Sequence, residues 1–235
     1  MSDERALVIV AHPDDVDFGS AGTVAAWVDE GLEVTYCLIT NGDAGGFDPD
    51  VPRKDMPKIR QAEQREAAAA VGVTDLVFLG YPDGYLELTL DLRKDLARVI
   101  RQKRPDRCIV QQPDFDYARV AVSHPDHLVA GRAALAAIYP DARNPYAFPS
   151  LLADEGLAAW ACPQTWVQSP DQATHWVDVT DTFDRKMKAL AAHISQTSHL
   201  ADLEDMLRDN LSAAAEKAGF GPDRLAEGYR LVDTA

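Results

Sequence analysis

Along the first half of the chain, apolar runs of strand length alternate with longer segments at helical spacing, the pattern of βαβ units and a parallel sheet covered on both faces. Residues 6–11 (ALVIVA) have no polar break and predict a strand buried on both sides. Residues 21–30 predict a helix stopped by Gly31, and residues 34–40 (VTYCLIT) a second strand running into the turn Asn41-Gly42. A helix over 57–71, a strand over 75–79 (DLVFL), a helix over 90–103, a strand over 107–111 (RCIVQ) and a helix over 125–138 continue the alternation. The pattern then weakens: residues 139–162 are rich in Pro, Asn and Ala and predict no regular element. Residues 175–179 (HWVDV) predict another strand. Phe183, Met187, Leu190 and Ile194 recur at helical spacing and predict an amphipathic helix over 182–195, and a last helix over 201–218 ends at Gly219. No repeat, low-complexity tract or linker divides the chain, so the expected fold is α/β: a Rossmann-like, mostly parallel sheet with helices on both faces, one domain over 1–235.

Composition narrows the partners. With 23 Lys plus Arg against 38 Asp plus Glu, the formal charge of -15 repels phosphate backbones and anionic lipid, which argues against nucleic acid and membrane surfaces. No apolar stretch reaches membrane-spanning length. The opening MSDERALVIVAHPDD places acidic residues before a short apolar run and offers no small-residue cleavage site, so it does not read as a signal peptide. Cys37, Cys108 and Cys162 are odd in number and widely spaced, and the first two fall inside predicted strands. They read as buried free thiols of a soluble, cytoplasmic protein without disulfides.

The residues that carry chemistry fall after predicted strands. Ligands of open α/β sheets bind outside the carboxyl ends of the strands. There the first strand is followed by His12-Pro13-Asp14-Asp15 and the fourth leads to His124-Pro125-Asp126-His127. Each tetrapeptide alone is an ordinary turn sequence; their joint placement on one sheet edge points to a site. Together they offer imidazoles and carboxylates, a nitrogen and oxygen set suited to zinc, and His12, Asp15 and His127 are the expected ligands, with a fourth position for water. Pro125 suits the first position of a helix, which makes His124 its cap and puts His124 and His127 on one side of its start. Such a zinc ion would lower the pKa of a bound water from about 15.7 towards about 7. Asp14 diverges from its neighbour Asp15 and is free to act as general base, while a cationic His124 would stabilise the oxyanion and protonate the leaving amine. The loop Asn41-Gly42-Asp43-Ala44-Gly45-Gly46 lacks phosphate-binding spacings and reads as a flexible rim with Asp43 reaching inward.

These motifs together resemble the LmbE-like (PIG-L type) N-acetylglucosaminyl deacetylase superfamily. AHPDD follows the first strand, TNGDAGG the second and HPDH the fourth; Arg60-Gln61-Ala62-Glu63, Phe78-Leu79-Gly80-Tyr81-Pro82-Asp83, Ala142-Arg143-Asn144-Pro145 and His193-Ile194-Ser195-Gln196 extend the likeness over most of the chain. The resemblance implies a Rossmann-like sheet, one Zn²⁺ per subunit (Fe²⁺ as the alternative) on His12, Asp15 and His127, Asp14 as base and His124 as acid or oxyanion partner. It implies substrate contacts at Arg60 and Asp83, with Asp43 and Asn144 joining the substrate-binding set. Asp17 stands where a variant of the family pattern keeps its acid, and Val122 departs from the Tyr of the thiol-sugar enzymes. The stretch 140–170 is where specificity is expected to be set. The implied activity is hydrolysis of the acetamide of an N-acetylglucosamine-type amino sugar or conjugate, a small-molecule partner. The alternatives are a zinc amidase acting on an amino-sugar thiol conjugate or a non-sugar acylamine, and a non-catalytic sugar- or nucleotide-binding module. A homo-oligomer is compatible with the family, and in one His193 would reach a neighbouring active site.

Overall fold

The computed structural model describes residues 4–117 and 120–234. Residues 1–3 of the opening stretch lie outside them. Four parallel strands are laid down in the order the alternation predicts, β1 (Arg5–Val10), β2 (Glu33–Thr40), β3 (Asp75–Tyr81) and β4 (Arg107–Gln111), and a fifth, β5 (Gln164–Gln168), pairs parallel to β4. Two more, β6 (His175–Asp178) and β7 (Ala226–Asp233), complete a seven-stranded sheet of order β3-β2-β1-β4-β5-β7-β6, in which β7 runs antiparallel to both its neighbours. The order reverses direction at β1 and β4, so the carboxyl ends of these adjacent strands form the crevice in which an open α/β sheet binds ligands.

The two-residue period of the strands sorts the core. Leu7 and Ile9 of β1, with Cys37, Cys108 and Val110, pack against Leu92, Leu96 and Ile100 of α3 (Leu90–Lys103) and Ala130, Ala133 and Ala134 of α4 (Pro125–Ala136). Ala6, Val8 and Val10 face the other way, onto α1 (Asp15–Asp29), α2 (Met56–Val71) and α6 (Phe183–Ala192). Helices on both faces explain why β1 reads as an unbroken apolar run. All three cysteines are buried, and Cys162 Sγ approaches Cys108 Sγ at 3.4 Å.

Several elements differ from expectation. Helix α1 begins six residues earlier than residue 21 and takes in Gly19, which lay outside the expected helix; Gly19 and Gly22 are both contact surfaces. A Cβ on Gly19 would lie 2.4 Å from Gln168 Nε2, and one on Gly22 would lie 2.7 Å from Val179 Cβ. Strands β5 and β7 were not anticipated; both mix buried apolar with polar residues, and β7 carries the buried Glu227 inward. The helix expected over 182–195 breaks at His193 into α6 and the short α7 (Ile194–Thr197), and residues 149–153 form α5 (Pro149–Ala153) inside the stretch read as irregular. A last helix, α8 (Leu203–Lys217), packs on β7 and, through Leu203, Leu207 and Leu211, on Phe183 and Leu190 of α6. Among the described residues no helix is long and apolar enough to cross a membrane.

Helix α4 carries two of the expected site residues, His124 as its cap and His127 in its first turn, and its seat on β4 depends on a missing side chain. A Cβ on Gly131 would come within 2.4 Å of the Gln111 carbonyl oxygen, a backbone atom that cannot turn aside. Gly131→Ala is therefore expected to cost about 1–3 kcal/mol of stability, the range for overpacking a close contact. Chemical denaturation checks this, and an unchanged midpoint would refute the close approach.

Candidate metal centre

His12, at the end of β1, and His127, in the first turn of α4, come from loops more than a hundred residues apart, yet His12 Nδ1 lies 3.2 Å from His127 Nε2. Both carboxylate oxygens of Asp15 join them, Oδ2 at 3.2 Å from His12 Nδ1 and Oδ1 at 3.0 Å from His127 Nε2. Tetrahedral zinc with nitrogen ligands at about 2.0–2.1 Å requires donors roughly 3.3 Å apart, so the three side chains converge at metal-ligand spacing. Asp15 is steadied by the His12 backbone N–H, which donates to its Oδ2 at 2.7 Å.

The far side of the His12 ring is held by two more carboxylates. Nε2 lies 3.0 Å from Asp83 Oδ1 and 3.2 Å from Asp126 Oδ2. Asp126 accepts the N–H groups of Gly84 and Leu86, and Asp83 that of Ala44, so both are fixed by backbone. This is the arrangement by which an outer carboxylate sets the tautomer of a metal-ligating imidazole, leaving the opposite nitrogen unprotonated. His127 is oriented similarly by a hydrogen bond to the Val122 backbone. Among the described residues, two further groups have a spacing that could hold a metal ion, His12 with His124 and His127, and His12 with Asp83 and Asp126, and both share His12. Residue Asp126, which the sequence reading passed over inside HPDH, is buried at 1% exposure and ties the loop after β3 to His12.

The electrostatics call for a cation. Burial by itself disfavours the charged form of His12, but the Asp15 carboxylate and contacts with Asp126 and Asp83 overturn that and push its pKa up to about 12. Burial raises Asp15, and the His127 and His12 rings outweigh it, holding its carboxyl well below the usual range. A proton on His12 thus sits where the carboxylates favour positive charge, which a divalent ion would supply more fully.

Asp14 stands beside this cluster in the left-handed region, φ 92°, an uncommon conformation that Asp tolerates better than most residues. Its backbone N–H donates to Gln64 Oε1 at 2.8 Å, and its carbonyl accepts from Asp17 and Phe18 at the start of α1. Arg60 is buried and its guanidinium holds Asp14 Oδ2 at 3.0 Å, the Pro13 carbonyl and the Gly42 carbonyl. Burial pushes the Asp14 carboxyl up, Arg60 pulls it down and Asp15 raises it, leaving it at about 7. The loop read as a flexible rim is instead clamped: a Cβ on Gly42 or Gly45 would lie 2.3 Å or 2.5 Å from Arg60 Nη1. Asp43 Oδ1 accepts the Asp83 N–H, so it braces the loop after β3.

His124 caps α4 as expected, its Nδ1 accepting from the Asp126 N–H. That bond leaves Nε2 to carry the ring proton, and burial with the neighbouring His12 and His127 lowers its pKa, which favours the neutral ring over the cation. His193 is fully buried and pairs with Asp17 Oδ2 at 2.8 Å. It therefore does not reach a neighbouring site, and acts within its own chain: Gln64 Nε2 donates to the same Asp17 oxygen while Gln64 Oε1 holds Asp14. The RQAE and HISQ segments meet as well, Glu63 accepting from Ser195 N and Oγ.

Asn144 is not part of this assembly. Its carbonyl accepts from Arg101 in the last turn of α3, and Trp160 Nε1 donates to the Pro105 carbonyl just before β4, so residues 141–160 cover the amino edge of the sheet, opposite the cluster. Helix α4 runs from the carboxyl edge back across the sheet, and everything before β5 follows it there. Specificity thus cannot be set within the chain by this part of the 140–170 stretch. Asn144→Ala is expected to leave kcat/KM within about twofold, as for a surface substitution away from a site; a tenfold loss in a steady-state assay would contradict this placement.

Residues 7–138 match the family model PIG-L: GlcNAc-PI de-N-acetylase. The chain belongs to this family. A diacetylchitobiose deacetylase of Thermococcus kodakarensis is 29% identical over 230 residues, spanning 97% of this chain and 83% of that one. A probable N-acetyl-alpha-D-glucosaminyl L-malate deacetylase 2 of Bacillus cereus is 32% identical, over 86% of this chain and 87% of the relative. The solved N,N'-diacetylchitobiose deacetylase of Pyrococcus horikoshii superposes with a TM-score of 0.89 at 30% identity, covering 98% of this chain and 84% of that chain. The PIG-L match ends at residue 138, so it contains every residue of the cluster and neither β5 nor β7.

Proposed function

We propose that this chain is a zinc-dependent N-deacetylase that hydrolyses the acetamide of an N-acetylglucosamine-type amino sugar or its conjugate. The observation that carries the reading is the convergence of His12 Nδ1, His127 Nε2 and the Asp15 carboxylate within 3.0–3.2 Å of one another, with Asp14 beside them. Family membership and deacetylase relatives at 29–32% identity support the same chemistry.

His12, Asp15 and His127 would hold the metal, whose donor set suits zinc ahead of iron(II). When bound, the ion would polarise the amide carbonyl and acidify a water molecule. Asp14 takes the proton of the attacking water; a carboxyl near pH 7 is matched to that task. Arg60 keeps Asp14 aimed while the strained turn fixes its backbone. His124 Nε2–H, neutral at rest, donates to the developing oxyanion, and the proton gained by Asp14 leaves with the amine. Asp83 and Arg60 flank the polar side, where the hydroxyls of a sugar would find a carboxylate and a guanidinium.

Release of free amine from N-acetylglucosamine derivatives, measured before and after chelation and again after adding back Zn²⁺, tests the proposal. Activity lost on chelation and restored by zinc is expected. Turnover that survives complete metal removal, or none on any N-acetyl amino sugar, would overturn it.

A further inference from the structure

The cluster sits at the junction of two unlike halves. On the flank above β2 and β3 stand Asp14, Asp43, Arg60 and Asp83, all polar and mutually bonded. On the opposite flank, above β4 and β5, opens a cavity of about 530 Å³ whose near wall is Asp15 and His127 themselves. Its far wall is one face of α8, with Met206, Leu207, Leu211 and Ala214 facing Phe18 of α1. Several polar groups on its floor are already engaged: Gln168 Nε2 donates to Ser20 Oγ, Gln111 Oε1 accepts from Ala11 N, and Glu227 accepts from Gly22, Thr23 and Lys186. Lys217 and Asp171 at its rim pair with each other at 3.4 Å. What the cavity presents to a ligand away from Asp15 and His127 is therefore chiefly hydrocarbon.

An amide carbonyl placed at the cluster must send its amine one way and its acyl carbon the other. A sugar amine belongs on the flank of carboxylates and guanidinium, which leaves the acyl group facing the cavity. An acetyl methyl fills a small fraction of such a space, since a cavity of about 150 Å³ already holds benzene. We infer that the cavity is an acyl subsite and that this enzyme prefers N-acyl amino sugars whose aliphatic acyl chain is several carbons longer than acetyl. The inference rests on the amide-hydrolase chemistry of the N-deacetylase reading above and extends the substrate class of that same site to longer acyl groups.

Kinetics on N-formyl-, N-acetyl-, N-butyryl- and N-hexanoylglucosamine test it. Each methylene buried is expected to raise kcat/KM about fourfold, so hexanoyl should exceed acetyl by at least about tenfold. Ala214→Trp, which fills the cavity from α8, should collapse the hexanoyl-to-acetyl ratio by at least about tenfold; Asn210→Phe from the same face serves if that variant does not fold. Calorimetric binding of the same series to zinc-loaded Asp14→Asn gives a readout that does not need turnover. A wild type that cleaves acetyl as fast as hexanoyl, or a ratio untouched by both variants, overturns the subsite. Hexanoyl-selective binding with no turnover of any compound would keep the subsite and overturn the deacylase reading, whereas acetyl-only turnover does the reverse.

Discussion

Asp14→Asn is expected to retain zinc at wild-type stoichiometry and to lower kcat by about 10² to 10⁴, the usual contribution of a general base. Asparagine is the informative replacement because it keeps the shape that Arg60 grips and tolerates φ 92°, where alanine would add strain to the chemical defect. The loss should be accompanied by a changed pH profile. Asp14 accepts a proton only when ionised, and burial lifts its carboxyl to about 7, so the ionised fraction, and with it kcat/KM, falls as pH drops through the carboxyl's pKa. A cation bound alongside favours the ionised form, which places this acid limb at or below about pH 7. In Asp14→Asn the limb should vanish from whatever rate remains. Zinc lost from the variant would instead show that Asp14 and Asp15 have exchanged roles.

The second large effect is at His12. Its replacement by alanine removes the donor that faces both Asp15 and His127 and strands Asp83 and Asp126, so zinc content by elemental analysis should fall to background and turnover with it. The outer-shell change Asp126→Asn should be milder, about 10- to 100-fold in metal affinity or rate. In the metal-free protein His12 is protonated up to about pH 12 and His127 also holds its proton more tightly than usual, burial opposing and Asp15 favouring the charge in both. Metal must displace these protons, so zinc affinity should rise with pH through the neutral range and zinc uptake should release protons into weakly buffered solution. Full zinc occupancy in His12→Ala would move the centre elsewhere.

Much of the fold and of the cluster could be read from residue order because both obey local rules. Unbroken apolar runs marked β1, β2 and β4, and the loops after β1 and β4 must converge once the strands are adjacent and parallel. What escaped the reading is determined at a distance. Gly19 looks like a breaker and fell outside the expected helix, yet it, Gly22 and Gly131 each mark a place where another segment leaves no room for a side chain. Strands β5 and β7 carry Gln164, Gln168, Glu227 and Arg230, and their pairing partners lie some sixty residues apart in sequence. The buried Asp17 sits one turn into α1 among apolar neighbours, and only the structure brings Gln64 and His193 to it. Asn144 was drawn to the site by its motif; the topology sends it to the other edge.

Strand β7 has a consequence for how the protein assembles. Glu227, anchored by Lys186, receives the Gly22 and Thr23 amides in the middle of α1, the helix whose first residue is Asp15. Residues near position 20 thus reach their final place only when a strand two hundred residues downstream has threaded between β5 and β6. Contacts of such long sequence separation close slowly because the intervening loop entropy must be overcome first. Catalytic competence should accordingly trail helix formation during refolding, appearing with the last sheet pairings to consolidate.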